Sequence, residues 1–111
     1  MLKIYTSRVF TYKGPDKLDI TVKSGDKVFA PTWDMVMGHK RGKYTDEQYT
    51  KMYREMMGAS YTRQPKHWKS MFAKDTTVVL CCYCRPGAFC HRHILKDILL
   101  EHFDGEYLGE I

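Results

Sequence analysis

The sequence has no apolar run near the roughly 18–20 residues that a membrane-spanning helix requires. It has no signal-like apolar stretch near its start, and no repeats or Ser/Gly-rich linkers. We therefore expect a cytoplasmic protein that does not enter a membrane. Hydrophobic residues make up 43% and charged residues 28% of the 111 residues, close to the globular average. This composition excludes a wholly disordered chain and predicts one domain, residues 1–111, with one core.

The cysteine spacings typical of zinc modules are also missing. All four cysteines lie in residues 81–90, and neither paired C-x-x-C knuckles nor the H-x-E and P-C-x-x-C pattern of zinc deaminases is present. In a reducing compartment, so close a group is expected to be thiols or ligands and not disulfides. We predict no bound cofactor. The alternative is zinc, with a ligand set of Cys82, Cys84, Cys90 and His93.

Positive charge is concentrated in the first two thirds of the chain. Residues 1–74 contain fifteen Lys and Arg against seven Asp and Glu, whereas residues 75–111 contain three against six. The net charge of +5 suits an anionic partner, although basic surfaces are often only solvated. Nucleic-acid binding is one alternative function, although no known nucleic-acid motif supports it. It would use Lys40, Arg41, Lys43, Arg63, Lys66 and Lys69.

Strand patterns occur in both halves of the chain. Residues 2–6 are β-prone and predict a first strand. Residues 18–22 alternate apolar with polar side chains, and residues 27–30 follow a turn, which predicts a hairpin. Residues 78–82 form a continuous apolar run, typical of a strand buried on both faces and often parallel to its neighbours.

Four segments have helical patterns. A short helix is expected over residues 31–37, and a capping-box pair, Thr45 and Gln48, precedes a longer one that should end at Gly58. Another starts at Pro65, and the last carries an apolar stripe that begins near His91. Helices between a first strand and a buried later strand predict a single small α/β domain, with a partly parallel central sheet flanked by helices.

The segment from residue 83 to residue 93 connects the buried strand to the last helix. In open α/β sheets, ligands bind beyond the carboxyl ends of the strands, and a helix N-terminus there favours a phosphate or carboxylate. Gly87 allows a close approach of the backbone, and Arg85 and Arg92 supply fork-shaped donors. This junction therefore predicts an anion site.

Cys90 and His91 are the candidate catalytic residues at this junction. A thiol at a helix N-terminus beside Arg92 should have a lowered pKa, and His91 should titrate near neutral pH. The segment has no Cys and Arg six positions apart, which excludes the cysteine-phosphatase pattern. A purely structural role for Cys90 remains an alternative.

A strand ending in Leu-Cys, a Pro/Gly loop and a Cys-His-Arg helix start resemble the C-terminal motif of the family called domain of unknown function 488 and its phage-encoded relatives. Residues 79–84 and 90–95 carry this pattern, and residues 4–8 look similar to the first strand of such proteins. The resemblance implies an α/β fold and a site around Cys-His-Arg, but no particular activity. The additional Cys84 and His93 depart from the plainest motif, which leaves a metal or redox role open.

If the first strand lies parallel to residues 78–82, Ser7 and Arg8 reach the same edge of the sheet. There Ser7 would bond a phosphate or ribose hydroxyl and Arg8 would bind the anion, unless both are only a solvated strand end. Aromatic residues suited to stacking on a base are Trp33, Tyr83 and Phe89, although most aromatic residues must be core.

The function these features favour is binding of a nucleotide or related phosphorylated metabolite, to sequester it or to act on it. Arg92 is the expected anion clamp, and we expect its replacement by Ala to abolish binding without much effect on folding. Three different functions stay open as hypotheses: nucleic-acid binding, zinc binding, and occupation of a host partner by surface complementarity.

Overall fold

The computed structural model describes residues 1–84 and 88–111. These residues form four strands and four helices. In chain order the elements are β1 (Leu2–Arg8), β2 (Lys17–Asp19), α1 (Trp33–Lys40), α2 (Asp46–Arg63), α3 (Pro65–Met71), β3 (Thr77–Cys82), α4 (His91–His102) and β4 (Gly105–Glu110). None of the helices in these two ranges combines the length and the hydrophobicity needed to cross a bilayer.

The strands form one sheet in the order β2-β3-β1-β4, and every neighbouring pair is parallel. The α/β class is confirmed, and the sheet is more fully parallel than the sequence indicated. β1 and β3 are the inner strands, which explains the continuous apolar run of β3: residues 78–82 are all buried.

The buried apolar residues of all four helices join one core cluster. Its aromatic centre is Phe29, which meets Trp68 and Phe72 edge-on at centroid distances of 4.9 and 5.2 Å. The Tyr53 hydroxyl donates to the Phe29 carbonyl oxygen over 2.6 Å, so the one polar atom of this buried ring is satisfied. A smaller cluster around Val79 and Cys81 belongs to the other face of the sheet.

The predicted hairpin is wrong. β2 is only three residues long and pairs in parallel with β3, and residues 27–29 form a turn instead of the second strand. The Asp19 carboxylate accepts from the Thr21 backbone N–H at 2.9 Å and from the Ser24 hydroxyl at 2.6 Å. These bonds fold the chain directly after β2, because a short polar side chain competes with sheet pairing for nearby backbone groups.

The helix boundaries differ from the prediction at two glycines. α1 continues past Gly38 to Lys40, and a Cβ at position 38 would collide with the ring of Tyr44. That glycine therefore serves a close approach and does not end a helix. α2 runs through Gly58 to Arg63, whereas α3 begins at a proline, as predicted.

The sequence patterns do not reveal β4, because Gly105 resembles a helix stop and its six residues, GEYLGE, have low strand propensity. Side chains hold it in place. The Tyr107 hydroxyl lies 2.6 Å from Thr6 Oγ1, and the buried Ser7 hydroxyl donates to the Ile111 carbonyl oxygen over 2.6 Å.

The start of α2 allows a direct test of the helix cap. Thr45 Oγ1 accepts from Gln48 N at 3.1 Å, and Thr45 N donates to Gln48 Oε1 at 2.8 Å. Thr45→Ala should lower the free energy of unfolding by about 1 kcal/mol in urea titrations. The control is Thr62→Ala, since Thr62 lies within the same helix and bonds only the Gly58 carbonyl. Equal losses in the two variants would contradict the capping role.

Candidate functional site

The candidate site lies at the carboxyl ends of β1 and β3. Arg8 pairs in register with Cys82, so the two strand ends lie side by side, as the sequence predicted. The chain then leaves β3 through Tyr83 and Cys84 and enters α4 at His91. Arg85 and Gly87, two of the predicted ligand-binding residues, lie outside the described residues.

Three of the four cysteines converge here. The Sγ atoms of Cys82, Cys84 and Cys90 all lie within 4.8 Å of one another. Cys82 and Cys90 are buried, and Cys84 is half-buried. Cys81 belongs to the opposite face of the sheet, since successive strand residues alternate, and its thiol faces the Val79 carbonyl oxygen at 3.4 Å. The fold thus separates one cysteine from a cluster of three.

Cys84 is the acidic thiol of this cluster. Hydrogen bonds from Cys82 and Cys90 lower the pKa of Cys84 far below its usual range. The pKa of Cys82 is raised to about 11, chiefly by its hydrogen bond with Cys84, and hydrogen bonds with both neighbours raise the pKa of Cys90. The lowered pKa predicted for Cys90 is therefore wrong. Because negative sulfurs so close together repel, ionisation of one of the three thiols disfavours ionisation of the other two.

Arg92 is fully buried behind the sulfurs. Its Nη1 donates to Cys82 Sγ at 2.7 Å and to the Cys84 carbonyl oxygen at 3.2 Å. Its Nε and Nη2 each lie 3.3 Å from a carboxylate oxygen of Glu110 on β4. Although burial opposes it, the contact with Cys82 helps to raise the pKa of Arg92. These contacts give Arg92 a structural role, whereas the anion-clamp role stays a prediction.

His91 is buried and held in one tautomer. Its Nε2 lies 2.6 Å from the Ile20 carbonyl oxygen, which can only accept, so Nε2 carries the proton. Nδ1 is then the acceptor, and it lies 3.7 Å from Cys90 Sγ. Burial lowers the pKa of His91, so the ring is neutral at pH 7. The shift runs downward from the ordinary pKa of histidine, and the catalytic role of His91 stays a prediction.

His93, the fourth member of the predicted metal set, does not join the cluster. Among the described residues, the group with mutually close ligand atoms contains the three cysteines and no histidine. His93 is half-buried on α4, where burial lowers its pKa and the charged groups that act on it include Arg92 and Glu110. The helix begins at His91, so residues 91 and 93 project in different directions.

A cavity of about 370 Å³ opens beside the cysteines. Cys82, Cys84, Cys90 and His91 form one part of its wall. Its other lining residues are Thr21, Val22, Lys23, Trp33, Val36, His39, Lys40, Tyr49, Tyr83 and Phe89. The described part of the lining therefore contains two lysines, several aromatic side chains and no carboxylate.

The other predicted ligand-binding residues divide between this cavity and the β4 side. Tyr83 lines the cavity, with its hydroxyl 3.2 Å from Ser24 Oγ. Ser7 does not line it, and donates to the chain end beyond β4 instead. The Arg8 Nε is buried and has no hydrogen-bond partner within residues 1–84 and 88–111. Strand adjacency alone therefore does not make Ser7 part of the cavity.

Sequence reasoning missed Glu110 and the Ile20 carbonyl, the partners of Arg92 and His91. No local pattern marks either of them, because both contacts depend on how distant segments pack. The sequence places Lys40 only in a basic surface, although this residue also lines the cavity.

The buried position of Arg92 predicts that Arg92→Ala is strongly destabilising. Its loss leaves Glu110 and the sulfurs without a counter-charge, and breaking such a pair costs about 3–5 kcal/mol. Arg54→Ala is the control, because Arg54 pairs with Glu101 on the surface and its loss should cost far less. Urea titrations of both variants measure the difference. Similar losses would show that Arg92 carries no special structural role.

The acidic thiol predicts selective alkylation. In chelator-treated protein at about pH 6.5, roughly two units below the ~8.5 of a free thiol, Cys84 should react faster than Cys81 or Cys90. Cys90→Ala removes a hydrogen bond to Cys84, so the Cys84 pKa should rise and its alkylation at this pH should slow. Cys81→Ala is the matched control and should leave the rate unchanged. Peptide mass mapping identifies the reacting residue, and faster labelling of Cys90 would contradict this assignment.

Comparison with known proteins identifies the family of the chain. A family model described as the active DUF488-N3 subclade, DUF488-N3a, matches residues 3–103. Neither the curated proteins nor the solved structures contain a match. The match covers both inner strands, the three-cysteine cluster and the Cys-His-Arg start of α4. The chain therefore belongs to the DUF488 family, the domain of unknown function 488.

Proposed function

We propose that this protein binds a small anion with a planar ring, such as a nucleotide, in the cavity beside the three cysteines. The observation that carries the proposal is the lining itself, which combines aromatic rings with two lysines and no carboxylate among the described residues. The cavity also adjoins the carboxyl end of a parallel strand, where open α/β sheets bind ligands.

The aromatic side of the cavity suits a planar ring. Phe89 is held by the rings of His39 and Tyr49, at centroid distances of 4.9 and 5.6 Å. Trp33, at the start of α1, also lines the cavity, yet 55% of it is exposed. A large exposed aromatic residue beside a fixed one provides a surface on which a base can stack.

The charged side of the cavity suits a phosphate. Lys23 and Lys40 are exposed residues of the lining, so they can neutralise an anion at its entrance. α4 begins beside them without a side-chain cap, because Cys90 at its N-cap makes no capping hydrogen bond. The positive end of the helix dipole adds to the attraction of the two lysines.

We propose that the cavity binds its ligand, and we treat any reaction on that ligand separately. A ligand in the cavity would contact the wall formed by Cys82, Cys84, Cys90 and His91. Catalysis by Cys90 and His91, and binding of nucleic acid by the basic residues, are separate predictions. They differ in what they require: a catalytic role requires turnover of the ligand, and nucleic-acid binding requires several phosphates at once.

The test is calorimetric titration with a panel of nucleoside mono-, di- and triphosphates, with a nucleoside and inorganic phosphate for comparison. A nucleotide should bind more tightly than either of its parts. Binding should also change the fluorescence of Trp33, since the other tryptophan, Trp68, is only 2% exposed and lies in the core. Trp33→Ala and Lys40→Ala should each weaken binding by about tenfold or more.

Lys66→Ala is the matched control, because Lys66 is an exposed lysine of α3 that does not line the cavity. It should leave nucleotide affinity unchanged. If Lys66→Ala and Lys40→Ala weakened binding equally, or if only oligonucleotides bound and did so with a steep salt dependence, the basic surface would be the binding site. The cavity proposal would then be wrong.

A further inference from the structure

The three-cysteine cluster has the dimensions of a metal site. Tetrahedral zinc with Zn–S distances of about 2.3 Å places its sulfurs roughly 3.8 Å apart. The sulfurs of Cys82, Cys84 and Cys90 already lie within 4.8 Å of one another, two of them buried. Small movements of side chains would therefore bring them to the spacing of a coordination shell.

His91 presents the right kind of fourth ligand. Metal-bound histidines usually donate their second ring nitrogen to a carbonyl or carboxylate, which fixes the ring and leaves a lone pair for the metal. Here Nε2 donates to the Ile20 carbonyl oxygen at 2.6 Å, and the unprotonated Nδ1 lies 3.7 Å from Cys90 Sγ. Zn–S and Zn–N distances of about 2.3 and 2.0 Å imply an S···N separation of roughly 3.5 Å, close to that observed.

The buried positive charge beside the cluster also suits a zinc ion bound by thiolates. A zinc ion with three thiolates and a neutral imidazole carries one net negative charge. Arg92 is fully buried against the cluster, and its Nη1 lies 2.7 Å from Cys82 Sγ. A guanidinium in this position hydrogen-bonds a coordinating sulfur, as residues around metal ligands commonly do, and it lowers the cost of the negative charge while it also pairs with the Glu110 carboxylate.

We propose that Cys82, Cys84, Cys90 and Nδ1 of His91 bind one Zn²⁺ ion. Thiolate and imidazole ligands in a tetrahedral arrangement are the set that zinc prefers. The ion would join the end of β3 to the start of α4, and so would fix one wall of the cavity. The proposal differs from the sequence-based hypothesis in its nitrogen ligand. His91 Nδ1 lies 3.7 Å from Cys90 Sγ, but no histidine nitrogen among the described residues lies within 4.8 Å of all three sulfurs, so the His91 ring and the cysteines must move together when the ion binds.

The experiment uses zinc and cobalt without any nucleotide. Native mass spectrometry and elemental analysis of reduced, zinc-equilibrated protein should show one zinc per chain, removable by a chelator. Substitution with Co²⁺ should give thiolate-to-cobalt charge-transfer absorption and the intense visible bands of a tetrahedral ion. Zinc should protect three thiols from alkylation and leave the reactivity of Cys81 unchanged, and it should raise the melting temperature.

Variants then test three of the four ligands. Cys84→Ala, Cys90→Ala and His91→Gln should each weaken zinc affinity by more than about tenfold, and His91→Gln should also shift the visible cobalt bands. Cys81→Ala, one residue from a ligand but on the other face of the sheet, should bind zinc like the unmodified protein.

Three results would overturn the proposal. These are absence of stoichiometric zinc in the reduced protein, equal effects of Cys81→Ala and Cys84→Ala, and an unchanged cobalt spectrum in His91→Gln. The cobalt spectrum of the unmodified protein tests the thiolate ligands even where a variant fails to fold. Because the measurements contain no nucleotide, failure here leaves the cavity proposal standing, and failed nucleotide binding leaves the metal proposal standing.

Discussion

The buried guanidinium of Arg92 is the constraint on which the functional end of this fold depends. A fully buried charge is costly unless several partners satisfy it. Among residues 1–84 and 88–111, the partners of Arg92 come from three segments: the end of β3, the residues after it, and β4. The Glu110 carboxylate can reach Arg92 only when β4 lies beside β1. A last strand with little intrinsic strand propensity is therefore held partly by electrostatics, with further support from the contacts of Tyr107 and Ser7.

The same guanidinium divides the carboxyl edge of the sheet into two parts. On one side, Arg92, Glu110 and Ser7 form contacts between β3, α4, β4 and the residue after it, where their polar atoms are already bonded. On the other side, sulfur atoms and aromatic rings face a cavity whose described lining holds two lysines. Because the polar atoms of Ser7 and Arg92 have partners within the fold, the anion-binding proposal is based on the described groups that line the cavity. The anion-binding proposal consequently moves from the arginine of the Cys-His-Arg motif to Lys23, Lys40 and the start of α4.

The sequence predicted those features that depend on local periodicity or capping. The apolar run of β3, the capping box of α2, the proline start of α3 and the stripe of α4 each specify an element without reference to the rest of the chain. A strand was predicted at residues 18–22, but not its parallel pairing with β3 or its early end, which the side-chain bonds of Asp19 cause. β4 was not predicted, since it depends on distant partners. The candidate site shows the same division between local sequence patterns and contacts between distant segments. The motif correctly predicted where β3 ends and α4 begins, but which thiol is acidic and which histidine lies near a sulfur depend on three-dimensional contacts.

The proposed metal site and the proposed ligand site constrain each other. Structural zinc sites have four protein ligands, whereas catalytic zinc sites leave one position for water or substrate. A site completed by His91 Nδ1 would leave no such position, so the ion would not act on a ligand in the cavity. It would also occupy the thiolate of Cys84, the acidic sulfur of the cluster, and so remove the strongest nucleophile candidate. Zinc binding would thus favour a cavity that recognises and holds its ligand, and the metal-free protein is the form in which thiol chemistry on that ligand is possible.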